Sequence, residues 1–420
     1  MTTEPTVAAA KTATASDLRG ASRLIIDATT GITDLVEAMH RNIARVPVVT
    51  TSAEDGRTSG IAGFVYRTVR GVTRVVGGGI DAGLALLTPA LASVPNVPAR
   101  EAVLSAVNGV LGDHLAASKN PLAIPMQLRH GGHALTLTRD GIREHFPQAT
   151  GKIVVLIHGL CMNDLQWKSR GDGARQAHDH GAALQRDSGF TPVYLRYNTG
   201  LHVSTNGREF AATLKGLFAA WPVPVDSLVI VAHSMGGLVS RSAFYYGRKA
   251  RHAWCKSLDK IIFLGTPHLG APLERGGHWI DILLGATPYA SPFAKLGKVR
   301  SAGITDLRHG SVLDDDWMGQ DRFEPALEAL TPIPLPASVR CYTIAATIDD
   351  GTKSKSMRAT GKRLLGDGLV PLKSALGNNE NPKRNLKFPP EHQCVLHGVN
   401  HMELLKEAQV YPALKSFLDD

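Results

Sequence analysis

The sequence has little cysteine and no long apolar run. Its 420 residues include four cysteines, and no two of these stand in a metal-ligand spacing such as C-x-x-C. The default for such isolated cysteines is a buried free thiol. Arg74 and Asp81 interrupt the best candidate for a membrane-spanning segment, which needs about 18 apolar residues. A cysteine-based metal site and a transmembrane helix are therefore not predicted.

Signs of secretion and of nucleic-acid binding are also missing. Residues 1–19 are rich in alanine and threonine, without the basic start, apolar stretch and cleavage site of a signal peptide. With reduced cysteines, this predicts a cytoplasmic protein. The formal net charge is +9, and basic residues cluster at 353–363 and 383–387. No nucleic-acid motif accompanies them, so we expect a positively charged surface and no nucleic-acid partner.

Composition and apolar spacing divide the chain into five parts. Residues 1–20 are predicted to be a disordered tail. Residues 21–120 form a helical region, and 121–271 form the first part of an α/β core. Residues 272–338 are an insertion, and 339–420 complete the core.

The helical region shows apolar residues at helical spacing over about 21–44, 60–91 and 99–115. Such stripes most often pack against a protein core. The alternative is peripheral contact with a membrane, because one stretch places arginines beside apolar side chains: Arg67, Arg70 and Arg74 beside Phe64, Val65 and Val69.

The α/β core begins with alternating residues in 126–146, which predict short antiparallel strands. Short, fully apolar runs then alternate with helical stretches, which is typical of a mostly parallel central sheet covered on both faces. The predicted strands are 153–157, 192–197, 228–232, 260–264, 339–348 and 393–397. The predicted helices are 173–188, 207–221, 238–247 and 402–418. The insertion has no sheet period but is rich in apolar residues, which predicts a cap or lid over the carboxyl edge of the sheet.

The strongest chemical signal is Ala-His-Ser-Met-Gly-Gly at 232–237, between a predicted buried strand and a predicted helix. This matches the nucleophile elbow G-x-S-x-G, with alanine in place of the first glycine. The turn is sterically tight, so residues two before and two after the serine must be small. Ser234 is therefore predicted to be a nucleophile at the start of a helix, where free N–H groups favour negative charge.

A second motif, His-Gly-Leu at 158–160, follows the first core strand. Acyl transfer needs two N–H donors aimed at the oxyanion. One donor is expected from Met235, directly after the nucleophile, and the other from Leu160. His158, His233 and His268 are interpreted as buried scaffold residues.

A hydroxyl nucleophile also needs a base and an orienting acid, in the chain order Ser, acid, His. Asp367 lies in a Gly-Asp-Gly turn and is favoured as the acid over Asp349 or Asp350. His401 lies between a strand and the last helix and is favoured as the base over His392 and His397.

Five motifs in this order resemble bacterial triacylglycerol lipases and the related GPI inositol-deacylase-like hydrolases. They are the two above, Gly-Thr-Pro-His-Leu-Gly at 265–270, Asp-Gly-Leu-Val at 367–370, and Asn-His-Met-Glu at 400–403. The resemblance covers about residue 152 to the end, without the insertion. It implies an α/β-hydrolase fold, a Ser234–Asp367–His401 triad, and an oxyanion hole of Leu160 and Met235.

The expected function is hydrolysis of apolar acyl esters, small or lipid-like, through an acyl-enzyme intermediate. Substrate is expected to contact Trp279, Leu283 and Phe293 of the insertion and Asn198 after a core strand. No cofactor is required and no metal ligand is assigned; Glu403 stands where some of those lipases have aspartate beside a calcium site. Amidase, thioesterase and acyltransferase chemistry use the same triad. A non-catalytic lipid-binding protein on a hydrolase fold is the alternative from another class.

Overall fold

The computed structural model describes residues 98–169, 171, 176–271, 301–319, 330–349 and 366–420. The predicted tail and the predicted helices before residue 98 lie outside these residues. So do Trp279, Leu283, Phe293 and Asp350.

Most strands of the described residues form one mixed sheet, in the order β10-β9-β8-β7-β3-β6-β1-β2. Neighbouring strands from β10 to β6 are parallel, whereas β1 pairs antiparallel with both β6 and β2. The predicted mostly parallel central sheet is therefore confirmed, and with its flanking helices the chain has an α/β-hydrolase fold.

The strands are β1 Gln127–His130, β2 His133–Ala134, β3 Lys152–Ile157, β4 Lys168–Ser169, β5 His178–Asp179, β6 Thr191–Arg196, β7 Ser227–His233, β8 Leu258–Leu264, β9 Arg340–Thr347 and β10 Gln393–His397. Strands β4 and β5 form a separate small ribbon. The helices are α1 Pro98–Ala117, α2 Arg139–His145, α3 His180–Ser188, α4 Val203–Ala220, α5 Met235–Lys249, α6 Trp254–Ser257, α7 Ala302–His309, α8 Leu372–Ala375, α9 Glu403–Lys406 and α10 Tyr411–Asp419.

The central strands β3, β6, β7, β8 and β9 are buried on both faces, which explains why they are apolar without alternation. Along β3, Ile153, Val155 and Ile157 belong to one apolar cluster with residues of α1, α4 and α5. The intervening Val154 and Leu156 belong to a second cluster with residues of α3, α9 and α10. The period of two along a strand thus divides the core into two layers.

Three predicted elements differ in the structure. The helix predicted over 173–188 begins only at His180, because Asp179 caps it and His178–Asp179 pair with β4 as strand β5. The alternation at 133–138 was expected to be strand, but only His133–Ala134 pairs, and α2 begins at Arg139. Thr138 ends the extended segment because its hydroxyl accepts the Gly141 N–H and caps the helix. The predicted final helix is divided into α9, a 3-10 turn and α10. Its last part starts with proline in the first turn, a position that proline favours.

Helix α1, close to its predicted bounds of 99–115, is an integral part of the core. Its Val107 and Leu115 are fully buried, together with several neighbours along the same cluster. Helix α7, from the predicted insertion, also packs there through Ile304 and Leu307. The described part of the insertion around α7 therefore lies directly on the sheet-covering helices.

None of the helices in the described residues combines the length and the apolar content needed to cross a bilayer.

Candidate active site

Ser234 lies at the turn between β7 and α5 in a strained backbone conformation. Its φ is 54° and its ψ is −124°, a region that non-glycine residues rarely adopt. Two main-chain hydrogen bonds hold the turn: the Ser234 N–H donates to Leu264 O at 2.9 Å, and the Gly237 N–H donates to Ser234 O at 3.0 Å. The strain presents the side chain at the carboxyl edge of the sheet, as a nucleophile elbow requires.

Two glycines that lie close to Ser234, Gly236 in α5 and Gly159 after β3, make room for this turn. A Cβ added to Gly236 would lie 2.7 Å from Ile157 O and 2.8 Å from His158 O, so α5 approaches the end of β3 without a side chain between them. A Cβ added to Gly159 would lie 2.8 Å from Ser234 Cβ and 3.3 Å from its Oγ. The small residues of both motifs are therefore explained by steric contact around the serine.

Asp367 and His401 form a buried pair. His401 Nδ1 donates to Asp367 Oδ2 at 2.7 Å, and their side chains are 2% and 1% exposed, respectively. The other carboxylate oxygen, Oδ1, accepts N–H groups from Leu369 at 3.0 Å and Val370 at 2.8 Å. The main-chain N–H of His401 also donates to the main-chain oxygen of Asp367 at 2.9 Å. This geometry fixes the imidazole tautomer with its proton on Nδ1 and leaves Nε2 as the basic nitrogen.

The Asp367–His401 pair lies beside the end of β8, the strand whose Leu264 O accepts the Ser234 N–H. Gly265 directly follows Leu264, the acceptor for the Ser234 N–H. A Cβ on Gly265 would lie 2.9 Å from Asp367 Oδ2 and 3.2 Å from His401 Nδ1, and its φ of +56° also favours glycine. The fold therefore brings Ser234, Asp367 and His401 to one edge of the sheet.

His233 gives a second link between the serine turn and the base. Its Nε2 donates to the main-chain oxygen of His401 at 2.9 Å, and the two rings lie 4.6 Å apart between centroids. Burial, and then the neighbouring His401, hold the pKa of His233 well below its usual value, so it remains neutral. Among the described hydrogen bonds, none joins the Ser234 hydroxyl to His401. In unliganded active sites the distance between a nucleophile and its base is often long, and it shortens when substrate binds.

Two main-chain N–H groups, of Leu160 and Met235, lie in segments at the sheet edge that carries Ser234. Residues Ile157 and Ala232 are paired in neighbouring parallel strands, so the segments that follow them meet at one edge. Leu160 follows β3, and Met235 is the first residue of α5. Within the part of the chain that the structure describes, neither N–H donates to a protein acceptor. Free N–H groups at a helix start can stabilise a developing oxyanion.

His158 shapes the loop that carries Leu160. Its ring is fully buried, donates from Nδ1 to Gly159 O at 2.9 Å, and stacks on Tyr197, whose hydroxyl donates to His158 O. Desolvation lowers the pKa of His158 to about 3. The histidine is therefore neutral and serves the loop, in line with the scaffold role expected for it.

The other candidates lie elsewhere. Asp349 is exposed, and its main-chain oxygen accepts the Gly398 N–H. His392 Nδ1 contacts Cys341 O, and His397 Nδ1 contacts the Thr347 hydroxyl. None of these side chains has a hydrogen bond to Asp367 or His401 in the described residues.

Asn198, expected to contact substrate, is buried beside α1. It is 2% exposed; its Nδ2 donates to Gly112 O of α1 at 2.9 Å, and its Oδ1 accepts the Gly200 N–H at 3.0 Å. Both ends of the amide therefore hold main chain in this structure, and a contact of Asn198 with substrate stays a prediction. Sequence reasoning could not find the contact with α1, because it depends on where α1 packs.

The site is closed in this structure. Ser234 is 4% exposed, His401 is 2% exposed, and Leu160 and Met235 are fully buried. Over the described ranges, no group of three or more His, Cys, Asp or Glu side chains could hold a metal ion. Glu403 instead accepts the Asn400 N–H at 2.8 Å, at the start of α9.

Residues 148–334 match the family model of the PGAP1-like alpha/beta domain. This range includes Leu160, Ser234 and Met235 and ends before Asp367 and His401. Among curated proteins, none matches this chain significantly in sequence.

Several solved structures are similar to the chain. The mature lipase BlEst2 of Bacillus licheniformis is 18% identical, with a TM-score of 0.38 over 64% of this chain and 91% of that one. A thermophilic esterase is 16% identical, with a TM-score of 0.35 and the same coverage of 64% and 91%. Phospholipase PlaB from Legionella pneumophila is 16% identical, with a TM-score of 0.34 over 53% of this chain and 45% of that one.

Proposed function

We propose that this protein is a serine carboxylic-ester hydrolase that cleaves apolar acyl esters through a Ser234–Asp367–His401 triad. The observation that carries the proposal is the buried Asp367–His401 pair at the same sheet edge as Ser234 in its strained turn. A solvated surface pair would need no such burial, and a helix-capping serine would need no positive φ.

Acylation follows from the tautomer that Asp367 selects. His401 Nε2 takes the proton of Ser234 Oγ as this oxygen attacks the ester carbonyl. The carboxylate stabilises the imidazolium that forms, and its second oxygen stays bound to two main-chain N–H groups, so it does not rotate.

The oxyanion of the tetrahedral intermediate is held by the N–H groups of Leu160 and Met235. These donors are fixed before the reaction, so they require little reorganisation as negative charge develops. His401 then protonates the leaving alcohol. Water, activated by the same nitrogen, attacks the acyl-enzyme and releases the acid.

The substrate class is an apolar ester, either small or lipid-like. Closure of the site around Ser234 supports an apolar acyl group, because a polar ligand would lose its hydration on entry. Trp279, Leu283 and Phe293 stay the proposed acyl contacts of the insertion. The same triad could act on amides or thioesters or transfer the acyl group to another acceptor, and these reactions are outcomes of the test below.

The test is hydrolysis of p-nitrophenyl esters from acetate to palmitate, together with a matched amide and thioester. We expect ester turnover at the highest kcat/KM, and its loss in Ser234→Ala by about 10⁴-fold or more. Ser242→Ala is the matched control: Ser242 lies in α5, is fully buried, and its hydroxyl has no partner in the described residues. Equal activity of Ser234→Ala and the control would refute the proposal, as would absence of ester turnover in the wild type.

A further inference from the structure

Helix α1 precedes the residues that match the family model, yet one of its faces runs along the loop that carries Leu160. Residues spaced by four or three along a helix share one face, and Glu101, Ser105, Gly109 and Gly112 have this spacing. Every one of these four residues touches a segment next to the candidate active site.

The loop after β3, residues 158–165, carries Leu160 and is called the oxyanion loop below. The first two contacts of α1 hold the end of this loop. Arg129 Nη1 pairs with Asp164 Oδ1 at 2.8 Å and with Glu101 Oε2 at 3.4 Å, so the arginine bridges the loop to α1. One turn along the helix, Asn163 Nδ2 donates to Ser105 Oγ at 3.3 Å. These groups are all buried, where such polar contacts are costly to break.

The third contact is steric and lies next to the oxyanion donor. Gly109 packs on Cys161, which directly follows Leu160 and has a φ of +60°. A Cβ at Gly109 would collide with Cys161 Sγ and would lie 3.1 Å from Cys161 Cα and 3.2 Å from its Cβ. The contact with Sγ is the severe one, and the contacts with Cα and Cβ would stay shorter than ordinary van der Waals distance even if the thiol rotated. On its other side, the Cys161 N–H donates to Thr199 Oγ1 at 3.1 Å.

The fourth contact anchors the helix itself. Gly112 O accepts Asn198 Nδ2, and a Cβ at Gly200 would lie 2.7 Å from Gly112 N. Main chain of α1 thus meets main chain of the loop after β6 with no side chain between them. Cys161 contacts that loop through Thr199 Oγ1 and α1 through Gly109, so it links the two segments.

We propose that these four residues form a clamp, the α1 clamp, which positions the Leu160 N–H for oxyanion binding, with Gly109 as the positioning residue that acts through Cys161. The inference rests on the proposed hydrolase function. It adds to the catalytic machinery a helix that lies outside the family-matched domain and touches no substrate.

The test uses the full-length protein with the variant Gly109→Ala. The added methyl would collide with Cys161 Sγ and should also displace the Cys161 main chain by a few tenths of an ångström, because its contacts with Cα and Cβ are shorter than ordinary carbon contacts of about 3.5–4.0 Å. Loss of one correctly placed oxyanion donor lowers turnover by about 10²-fold. We therefore expect kcat to fall about 10²-fold on a p-nitrophenyl ester, with KM within about threefold of wild type.

Two further variants separate positioning from general destabilisation. Gly216→Ala in α4 is the control, because its added Cβ would meet only the end of the Leu137 side chain, at 3.2 Å; we expect wild-type kcat. In the double variant with Cys161→Ala, removal of Sγ should restore kcat at least about tenfold relative to Gly109→Ala. If Gly109→Ala does not fold, Ser105→Ala, which removes the acceptor for Asn163, should lower kcat about fivefold.

Hydrogen exchange at 158–165 gives a readout that needs no turnover. We expect faster exchange there in Gly109→Ala, with exchange at 127–134 unchanged. Unchanged exchange in the loop, a kcat within threefold of wild type, or an equal fall in Gly216→Ala would overturn the clamp. If the wild type hydrolyses no ester, the proposed function fails, and the exchange measurement still decides whether α1 fixes the loop.

Discussion

Replacing Asp367 with asparagine should remove most turnover while keeping the fold. The carboxylate has three N–H partners: Leu369 and Val370 on Oδ1, and His401 on Oδ2. Asparagine has one acceptor oxygen and one donor nitrogen. Its oxygen should stay with the two main-chain donors, since the opposite orientation would place an NH₂ group against two N–H groups.

This orientation turns the amide NH₂ towards His401 Nδ1. The imidazole must then accept on Nδ1 and carry its proton on Nε2, the nitrogen that should take the proton of Ser234. In serine hydrolases with this arrangement, the wrong tautomer lowers kcat about 10⁴-fold. At about 1.36 kcal/mol per tenfold, this corresponds to about 5.4 kcal/mol in the activation barrier. The free energy of unfolding should change by only about 1–2 kcal/mol, because the contacts of the side chain remain paired.

The assay is kcat on p-nitrophenyl butyrate, with the thermal midpoint of unfolding measured on the same samples. Asp349→Asn is the control, since Asp349 is exposed and has no hydrogen bond to His401 in the described residues; its kcat should stay within about twofold of wild type. A kcat for Asp367→Asn above one tenth of wild type, with an unchanged midpoint, would refute the assigned role of Asp367. Loss of turnover in Asp349→Asn instead would identify Asp349 as the acid.

Three further outcomes follow from the site. Gly159→Ala should lower kcat about 10²-fold, because its Cβ would lie 2.8 Å from Ser234 Cβ; wild-type kinetics would contradict the close packing described for this turn. Burial lowers the pKa of both His158 and His180 to about 3, against an unfolded value near 6.5. Between pH 3 and pH 6.5 the unfolded chain therefore binds more protons than the folded chain, so the free energy of unfolding falls as the pH drops below about 6.5. Urea unfolding should show a loss of about 2 kcal/mol per histidine from pH 7 to pH 5, and a curve that is flat over this range would show that these rings are not buried neutral. EDTA should leave ester turnover unchanged, since no step uses a metal; inhibition that calcium reverses would contradict the mechanism.

The central sheet could be predicted from sequence because both of its faces are covered. Continuous apolar runs such as 153–157 and 228–232 are characteristic of strands buried on both sides, and they match β3 and β7 closely. The alternation at 133–138 gave the wrong element after residue 134, because Thr138 caps a helix there. Alternation in the sequence does not show that a helix cap ends the extended segment, nor that the strand pairing is only two residues long.

The site divides in a similar way. The turn around Ser234 could be predicted because its small neighbours are required locally, within a few residues of chain. The contacts of Asn198 with α1 and of His233 with His401 were missed, because their partners are 86 and 168 residues away in sequence. The packing of α1 on the oxyanion loop had one sequence signal, small residues at 105, 109 and 112 on one helix face. That signal indicates close approach but does not name the partner.

Labelling with a fluorophosphonate probe tests the central claim most directly. The native full-length chain should take up one label per molecule, on the peptide that contains Ser234, and heat-denatured protein and Ser234→Ala should take up none. Ser242→Ala should label like wild type. Absence of label in the native protein, or a label on another residue that persists in Ser234→Ala, would contradict the assignment of Ser234 as the nucleophile.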